Sequence, residues 1–321
     1  MSQERPNSSR AARRAAVARP LEMPPAFHPL SAGIGLEVAG VSVGGKSQAH
    51  NTDHFAALRL GRMQEMLTTS LSAADVPPRF EEYAYSLLVA DGLDADGSGA
   101  RASRFALSTL AHLAIRYGKW NVRIGPDTAA EIIEQGEFLY RQVHDAVAQA
   151  NRTDPTVATM TTSLTAMYIA GADLFFAHVG HSRGFLFRNG VLIQLTMDHT
   201  LERLISANAA LRRMRLEARR PNVPDGVPAG ADGVGRGNPP EIAIEHVQLW
   251  PADRVLLCTN GLTDVVGEEQ ISDVLASQRK PADDARRLVD IALTNGATDS
   301  VTVLLGDYRI RPSQAAPEQL R

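Results

Sequence analysis

The sequence predicts an α+β fold, a four-layer α/β/β/α sandwich in which two antiparallel sheets stack face to face with helices outside. Three observations predict it. Short aromatic and β-branched segments crowd the middle of the chain (SLTAMYIAG, ADLFFAHVG, SRGFLFR and VLIQLT), each bounded by Gly or Asn. Two long stretches of helical periodicity stand together ahead of them, as an insertion between strands. Asn189-Gly190, between FLFR and VLIQL, is a two-residue hairpin signal, because a type I′ turn needs positive φ at both central residues. Each sheet has an apolar face to bury, and stacking the sheets with helices outside achieves this in one domain.

Order is expected from about Gly33, where GLEVAGVSVGG alternates apolar and small residues as a first strand does. A second apolar run, AYSLLVA, stops at Asp91-Gly92, and the loop DADGSGA comes next. In RASRFALSTLAHLAIRY, residues Ala102, Phe105, Ala106, Leu110, Leu113 and Ala114 recur at helical spacing and predict an amphipathic helix. Residues 128–150 repeat that period. The four central strands are expected as an antiparallel meander. Residues 200–217 turn helical and charged, and the Pro- and Gly-rich stretch 221–239 predicts an exposed mobile loop. IAIEHVQL and DRVLLCT are strands, 281–294 is a helix, and SVTVLLGDY is the last strand. The expected boundaries are a disordered basic arm over 1–32, one domain over 33–308, and a disordered tail over 309–321.

The chain has 321 residues, 44% of them apolar, which is enough for a substantial core. A formal net charge of −3 gives no basic surface for nucleic acid or anionic membrane. No apolar run approaches a membrane span. The arginines near the N-terminus lack the apolar stretch of a signal peptide behind them. The single cysteine, Cys258, lies in the apolar run VLLC as a buried structural thiol, and a chain with no disulfide suits the reducing cytoplasm.

Oxygen-bearing side chains cluster at the ends of the predicted strands. SLLVA runs into Asp91-Gly92, VLLCT into Asn260-Gly261, and Asp299 stands just before VTVLL. Asp53 closes the segment HNTD after the first strand. Strand ends are rigid, so side chains placed there can converge. Carboxylate, amide and carbonyl oxygens suit a hard cation such as Mg²⁺ or Mn²⁺.

The order of these segments resembles the metal-dependent protein serine/threonine phosphatases of type 2C (the PPM family). GKSQAHNTD resembles the opening motif, LLVADGL the Asp-Gly motif, and MTTSLTAMYI the strand after the long helices. DLFFAHVGHSRGFLFRNGVLIQLTMDHT resembles the Val-Gly-Asp-Ser-Arg hairpin together with its Thr-x-Asp-His segment. DRVLLCTNGLTDVV and ATDSVTVLL resemble the two closing motifs. The resemblance implies two Mg²⁺ or Mn²⁺ ions and a metal-bridging hydroxide that attacks phosphoserine or phosphothreonine. It also implies a phosphorylated protein substrate or a protein kinase as partner, and a monomer.

Carried over residue by residue, the resemblance makes Asp91 the carboxylate that bridges both metals and the Gly92 carbonyl a second-metal ligand. Asp299 matches a first-metal carboxylate, Asp53 the acid that orients water, and Asp264 the acid of an accessory site. His199 matches a structural histidine. There are departures. Thr52 replaces a Glu, Gln48 the phosphate-binding Arg, Asn260 a first-metal Asp, and His181 the accessory-site Asp. Asp94 and Asp96 stand in place of a glycine pair, and Lys46 is a candidate phosphate contact facing the same side as Gln48. Each lost charge–charge contact costs about 1–3 kcal/mol, about one to two decades of metal affinity. The expectation is a phosphatase with a partly degenerate metal site. The alternative is a pseudophosphatase that binds a phosphoprotein or another partner.

Overall fold

The computed structural model describes residues 34–46, 50–71, 78–93, 98–118, 126–154, 160–197, 233–235, 239–240 and 242–310, together with 76, 124 and 237. In chain order the elements are β1 (Ile34–Val43), β2 (Asp53–Glu65), β3 (Arg79–Asp91), α1 (Gly99–Tyr117) and α2 (Pro126–Thr153). Then come β4 (Leu164–Ala170), β5 (Asp173–Val179), β6 (Arg183–Arg188), β7 (Val191–Gln194) and β8 (Ala243–Gln248). The chain closes with β9 (Arg254–Cys258), α3 (Asn260–Thr263), α4 (Glu268–Ala276), α5 (Pro281–Thr294) and β10 (Val301–Ile310). One sheet has the order β1-β10-β9-β6-β7 and the other β2-β3-β4-β5-β8, and every strand pair is antiparallel.

Three cores make this a four-layer sandwich. Strand side chains alternate between faces, so each central strand feeds two of them. On β3, Leu88 and Ala90 face α1 and α2, while Leu87 and Val89 face the opposite sheet. On β9, Leu256 and Cys258 pack with α4 and α5, while Val255 and Leu257 enter the space between the sheets. Cys258 is thus fully buried in apolar surroundings. The last helix has ordinary start signals, with Pro281 in its first turn and Asp283 and Asp284 at the positive end of its dipole. Among the described residues no helix is long and apolar enough to cross a membrane.

The hairpin at Asn189-Gly190 is formed as expected, with φ of 51° and 80°. The central strands are not one meander. β4 and β5 belong to one sheet and β6 and β7 to the other, and the chain crosses between them at Gly180 (φ 106°), His181 and Ser182. His178 holds this crossing: its Nε2 donates to the Gly180 carbonyl at 2.9 Å, leaving Nδ1 to accept from Thr165 Oγ1 at 2.8 Å.

Three elements were not anticipated: β2, the single-turn α3 and α4. β2 alternates Ala56, Leu58 and Leu60 toward the helices with Arg59 and Gly61 outward, a pattern diluted by its mostly exposed far end. α4 packs Ile271, Val274 and Leu275 inward at helical spacing, but it is only nine residues long. β10 continues to Ile310, paired with Ile34, two residues past its expected end. The expected arm over 1–32, the helix over 200–217, most of 221–239 and the tail beyond 310 lie outside the described residues.

A buried ion network ties β9 to the helical layer. Arg254 donates to Asp284 Oδ2 at 2.7 Å and to Asp307 Oδ1 at 2.6 Å, and it also reaches the carbonyls of Leu275 and Arg279. The Asp284 side chain is fully buried and that of Arg254 nearly so. Removing one partner strands a buried charge, which costs far more than the pair contributes. Asp284→Ala is therefore expected to destabilise the fold by about 3–5 kcal/mol, measured by urea denaturation, whereas Arg309→Ala, which removes an exposed ion pair, should change it little.

Candidate metal centre

All crossings near the site occur at one end of the sandwich. Asp53 opens β2 and Asp91 closes β3, and the ladder register sets them directly opposite each other. Asn260 comes just after β9, Asp299 precedes β10, and His181 sits in the crossing from β5 to β6. The sheets thus deliver their strand ends, and the acidic side chains on them, to a common place.

Asp53 and Asp91 form its centre. Both are almost wholly buried. Thr259 Oγ1 donates to Asp53 Oδ2 at 2.8 Å, but Asp53 Oδ1 and Asp91 Oδ2 have no hydrogen-bond partner. Loss of hydration pushes the Asp53 carboxyl up to about 6, against its hydrogen bonds from Thr259 and Thr302. The same loss, together with the charges of Asp53 and Asp299, pushes Asp91 well above the carboxylate range. Without a cation, both carboxyl groups therefore hold their protons to higher pH than free carboxylates do.

Backbone contacts hold Asp91 in place. Its carbonyl accepts from Ser163 N and from Thr162 Oγ1, both at 2.8 Å, and Ser163 Oγ reaches Ser182 Oγ at 2.7 Å in the sheet crossing. Gly92 lies against Gly99, the first residue of α1, so closely that a Cβ on either would run into the backbone of the other. That contact sets the start of α1 directly behind the Asp91 turn.

The remaining site residues surround this pair. Asn260 Nδ2 donates to Asp264 Oδ2 at 3.2 Å, which leaves Asn260 Oδ1 buried with no donor. Asp264 is exposed as a residue, yet partial withdrawal of its carboxyl from water raises its pKa; Arg183 and His181 act against this and Asp299 adds to it. Asp299 Oδ1 accepts the Ser300 N–H at 2.7 Å, and its charge acts on Asp53, Asp91 and Asp264 alike. Thr52 is buried beside Asp53, but its hydroxyl donates to Ser300 Oγ at 3.3 Å and its amide to the same oxygen at 3.1 Å.

Lys46 is exposed in the turn after β1 and not in a strand; its amide donates to the Ala297 carbonyl at 3.2 Å, near Asp299. Gln48, Asp94, Asp96 and His199 lie outside the described residues. Thr259, Ser163, Ser182 and Ser300 were missed in the sequence. Only Thr259 and Ser300 had a signal, as hydroxyls flanking Asn260 and Asp299.

Three buried acceptor oxygens without donors, on Asp53, Asp91 and Asn260, are the environment a hard cation fits. Among the described residues no three His, Cys, Asp or Glu side chains close around one point as a metal cage. A cation here would be held through one or two carboxylates and would keep several waters, as Mg²⁺ can.

The model of the family described as protein phosphatase 2C matches residues 126–204. The catalytic domain of the serine/threonine phosphatase PstP, solved with two manganese ions, superposes with a TM-score of 0.63 at 25% identity, covering 86% of this chain and 99% of that one. The chain is similar to the type-2C (PPM) phosphatases in sequence and in fold. It is 28% identical to PstP of Mycobacterium tuberculosis over 221 residues, 69% of this chain but only 40% of that protein's length. It is also 28% identical over 220 residues to the serine/threonine phosphatase stp of Listeria monocytogenes, covering 68% of this chain and 82% of that protein. A Streptococcus agalactiae phosphatase, 20% identical with a TM-score of 0.64 and covering 86% of this chain and all of that one, supports the PPM fold.

The buried pair has a consequence for stability in EDTA. The unfolded chain releases its carboxyl protons near pH 3.8, whereas folded Asp53 keeps its proton to about pH 6. The folded state then binds more protons, and this contribution to stability falls as pH rises through that window. Asp91→Asn removes one carboxylate, so its gain in melting temperature over wild type is expected to be larger at pH 7.5 than at pH 5. Equal differences at both pH values would show that the pair does not carry this strain.

Proposed function

We propose that the chain is a metal-dependent protein serine/threonine phosphatase. The observation that carries this reading is the buried Asp53–Asp91 pair, set opposite each other on β2 and β3 with an unpartnered oxygen on each. A buried like-charged pair costs stability unless a cation lies between, and the fold positions it at the joint end of both sheets. The names of the PstP and stp relatives favour an enzyme over the pseudophosphatase alternative.

The cations expected are Mn²⁺ or Mg²⁺, by extension from the manganese-bound PstP domain. Asp91 would hold both ions, with the Gly92 carbonyl, Asp299 and the Asn260 amide oxygen completing the set. Asp264, with His181 beside it, would hold an accessory ion weakly. Bound divalent cations supply Lewis acidity toward phosphoryl oxygens and lower the pKa of water.

The chain's own residues supply orientation. Thr259 fixes one Asp53 oxygen and leaves Oδ1 to accept a hydrogen bond from the attacking water. Lys46 is the phosphate contact we favour. A Cβ on the preceding Gly45 would run into the Asp299 carbonyl, so the β1 turn is pressed against the site. A lysine there offers charge without the two-pronged geometry of arginine, and Gln48 adds a neutral donor. Thr52, tied to Ser300, positions the start of β2 and does not replace the missing carboxylate. The substrate would be a phosphorylated protein, with a protein kinase as the opposing partner, and the chain would act as a cytoplasmic monomer.

Turnover of p-nitrophenyl phosphate and of a phosphothreonine peptide tests this reading. Wild type is expected to hydrolyse both in Mn²⁺ and more weakly in Mg²⁺, and Asp91→Asn to lose at least about a hundredfold, the scale of a lost electrostatic contact at a reacting centre. Asn260→Asp restores a charge and should shift the Mg²⁺ dependence about tenfold lower. Wild-type rates equal to buffer in both metals, with phosphopeptide binding unchanged in Asp91→Asn, would support a binding module instead.

A further inference from the structure

A cavity of about 140 Å³ lies between the outer face of the β2–β8 sheet and the helices α1 and α2. Its wall is apolar, formed by Leu58, Leu88, Leu110, Leu139 and Ile244 among others. Gly136, in the middle of α2, keeps it open: a Cβ there would come within 2.9 Å of Ile244 Cδ1. A glycine in a helix interior is destabilising relative to alanine, so the opening carries a stability cost. An apolar cavity of about 150 Å³ stays dry and takes a benzene-sized molecule.

Two polar atoms on this wall have no partner. Gln135 Nε2 and Tyr168 Oη are both buried, and neither makes a hydrogen bond. Unmade buried donors destabilise the fold, and nothing in the phosphatase reading uses them. Burial also pushes the Tyr168 phenol up to about 12, so it stays a neutral donor. No Lys, Arg or His lines the cavity among the described residues; Arg62, whose charge reaches the Tyr168 phenol, is paired with Glu82, and the acidic Glu131 stands at the exposed edge. A ligand meeting these groups needs an apolar ring-sized body, one acceptor oxygen and no negative charge.

We propose that this cavity is a binding site for a neutral, single-ring molecule carrying a carbonyl or amide oxygen. The ring fills the space between Leu58, Leu110 and Ile244, and the oxygen accepts from Gln135 Nε2 and Tyr168 Oη. Ligand-detected NMR on the full chain tests the site with acetophenone, ethylbenzene (the same size without the oxygen) and benzoate (the anion). Acetophenone is expected to bind about tenfold more tightly than ethylbenzene, the worth of one to two net hydrogen bonds, and benzoate more weakly than either.

Gln135→Leu and Tyr168→Phe, singly and together, should reduce or erase that preference while ethylbenzene still binds. Ala114→Leu, which fills the cavity from α1, should abolish binding of both neutral probes and raise the melting temperature. Three results would overturn the proposal. They are no binding of either neutral probe to wild type, a preference for acetophenone that survives in the double variant, and benzoate binding as tightly as acetophenone. If the double variant fails to fold, the two single variants and Ala114→Leu decide the question by the same criteria.

Discussion

The ladder between β2 and β3 sets Asp53 directly against Asp91, and burial then removes the water that would screen them. Two carboxyl groups in that position cannot both ionise cheaply, so they either share a proton or hold a cation between them. Much of the surrounding architecture keeps the pair in this state. Thr259 at the end of β9 fixes one oxygen of Asp53, and Ser163 and Thr162 at the start of β4 fix the Asp91 backbone. The close contact of Gly92 with Gly99 brings the first turn of α1 up behind the site. Strands from both sheets therefore meet the same constraint.

Among the described residues, the departures from the pattern that the sequence resembles, at Thr52, Asn260 and His181, leave this pair intact. Thr52 turns its hydroxyl to Ser300, and Asn260 uses its amide nitrogen to hold Asp264. Asn260 thereby keeps an oxygen free, which preserves a ligand atom while removing a charge. His181 and Arg183 bring basic character next to Asp264, where the family has a further acid. If the resemblance holds residue by residue, the site would carry less negative charge than the pattern it resembles, with internal hydrogen bonds at Thr52 and Asn260 in its place.

Much of this was legible in the sequence because the strong signals are local. The Asn189-Gly190 turn, the periodicity of α1 and α2, and Pro281 at the start of α5 each dictate their own geometry. Asp91, Asn260 and Asp299 stood out because each interrupts an apolar strand. The features that were not legible depend on pairing at a distance. β2 shows its alternation only where Leu58 and Leu60 meet the helices, and its exposed outer half carries no such pattern. The division of β4–β7 between two sheets turns on Gly180 and on the His178 bonds that hold it, and neither is a local turn signature. Thr259 and the Ser163–Ser182 contact support the carboxylates from separate strands, so no spacing rule points to them.

On the function proposed above, the Asp53–Asp91 pair is a cation site. Titration of the EDTA-treated protein with Mn²⁺, following the free ion by electron paramagnetic resonance, tests it without reference to turnover. Wild type should remove Mn²⁺ from solution in a saturable manner, and Asp91→Asn should weaken that binding by at least about tenfold, one charge–charge contact at a screened site. Mn²⁺ binding that is unchanged in Asp91→Asn, or absent from the wild-type protein, would contradict the account.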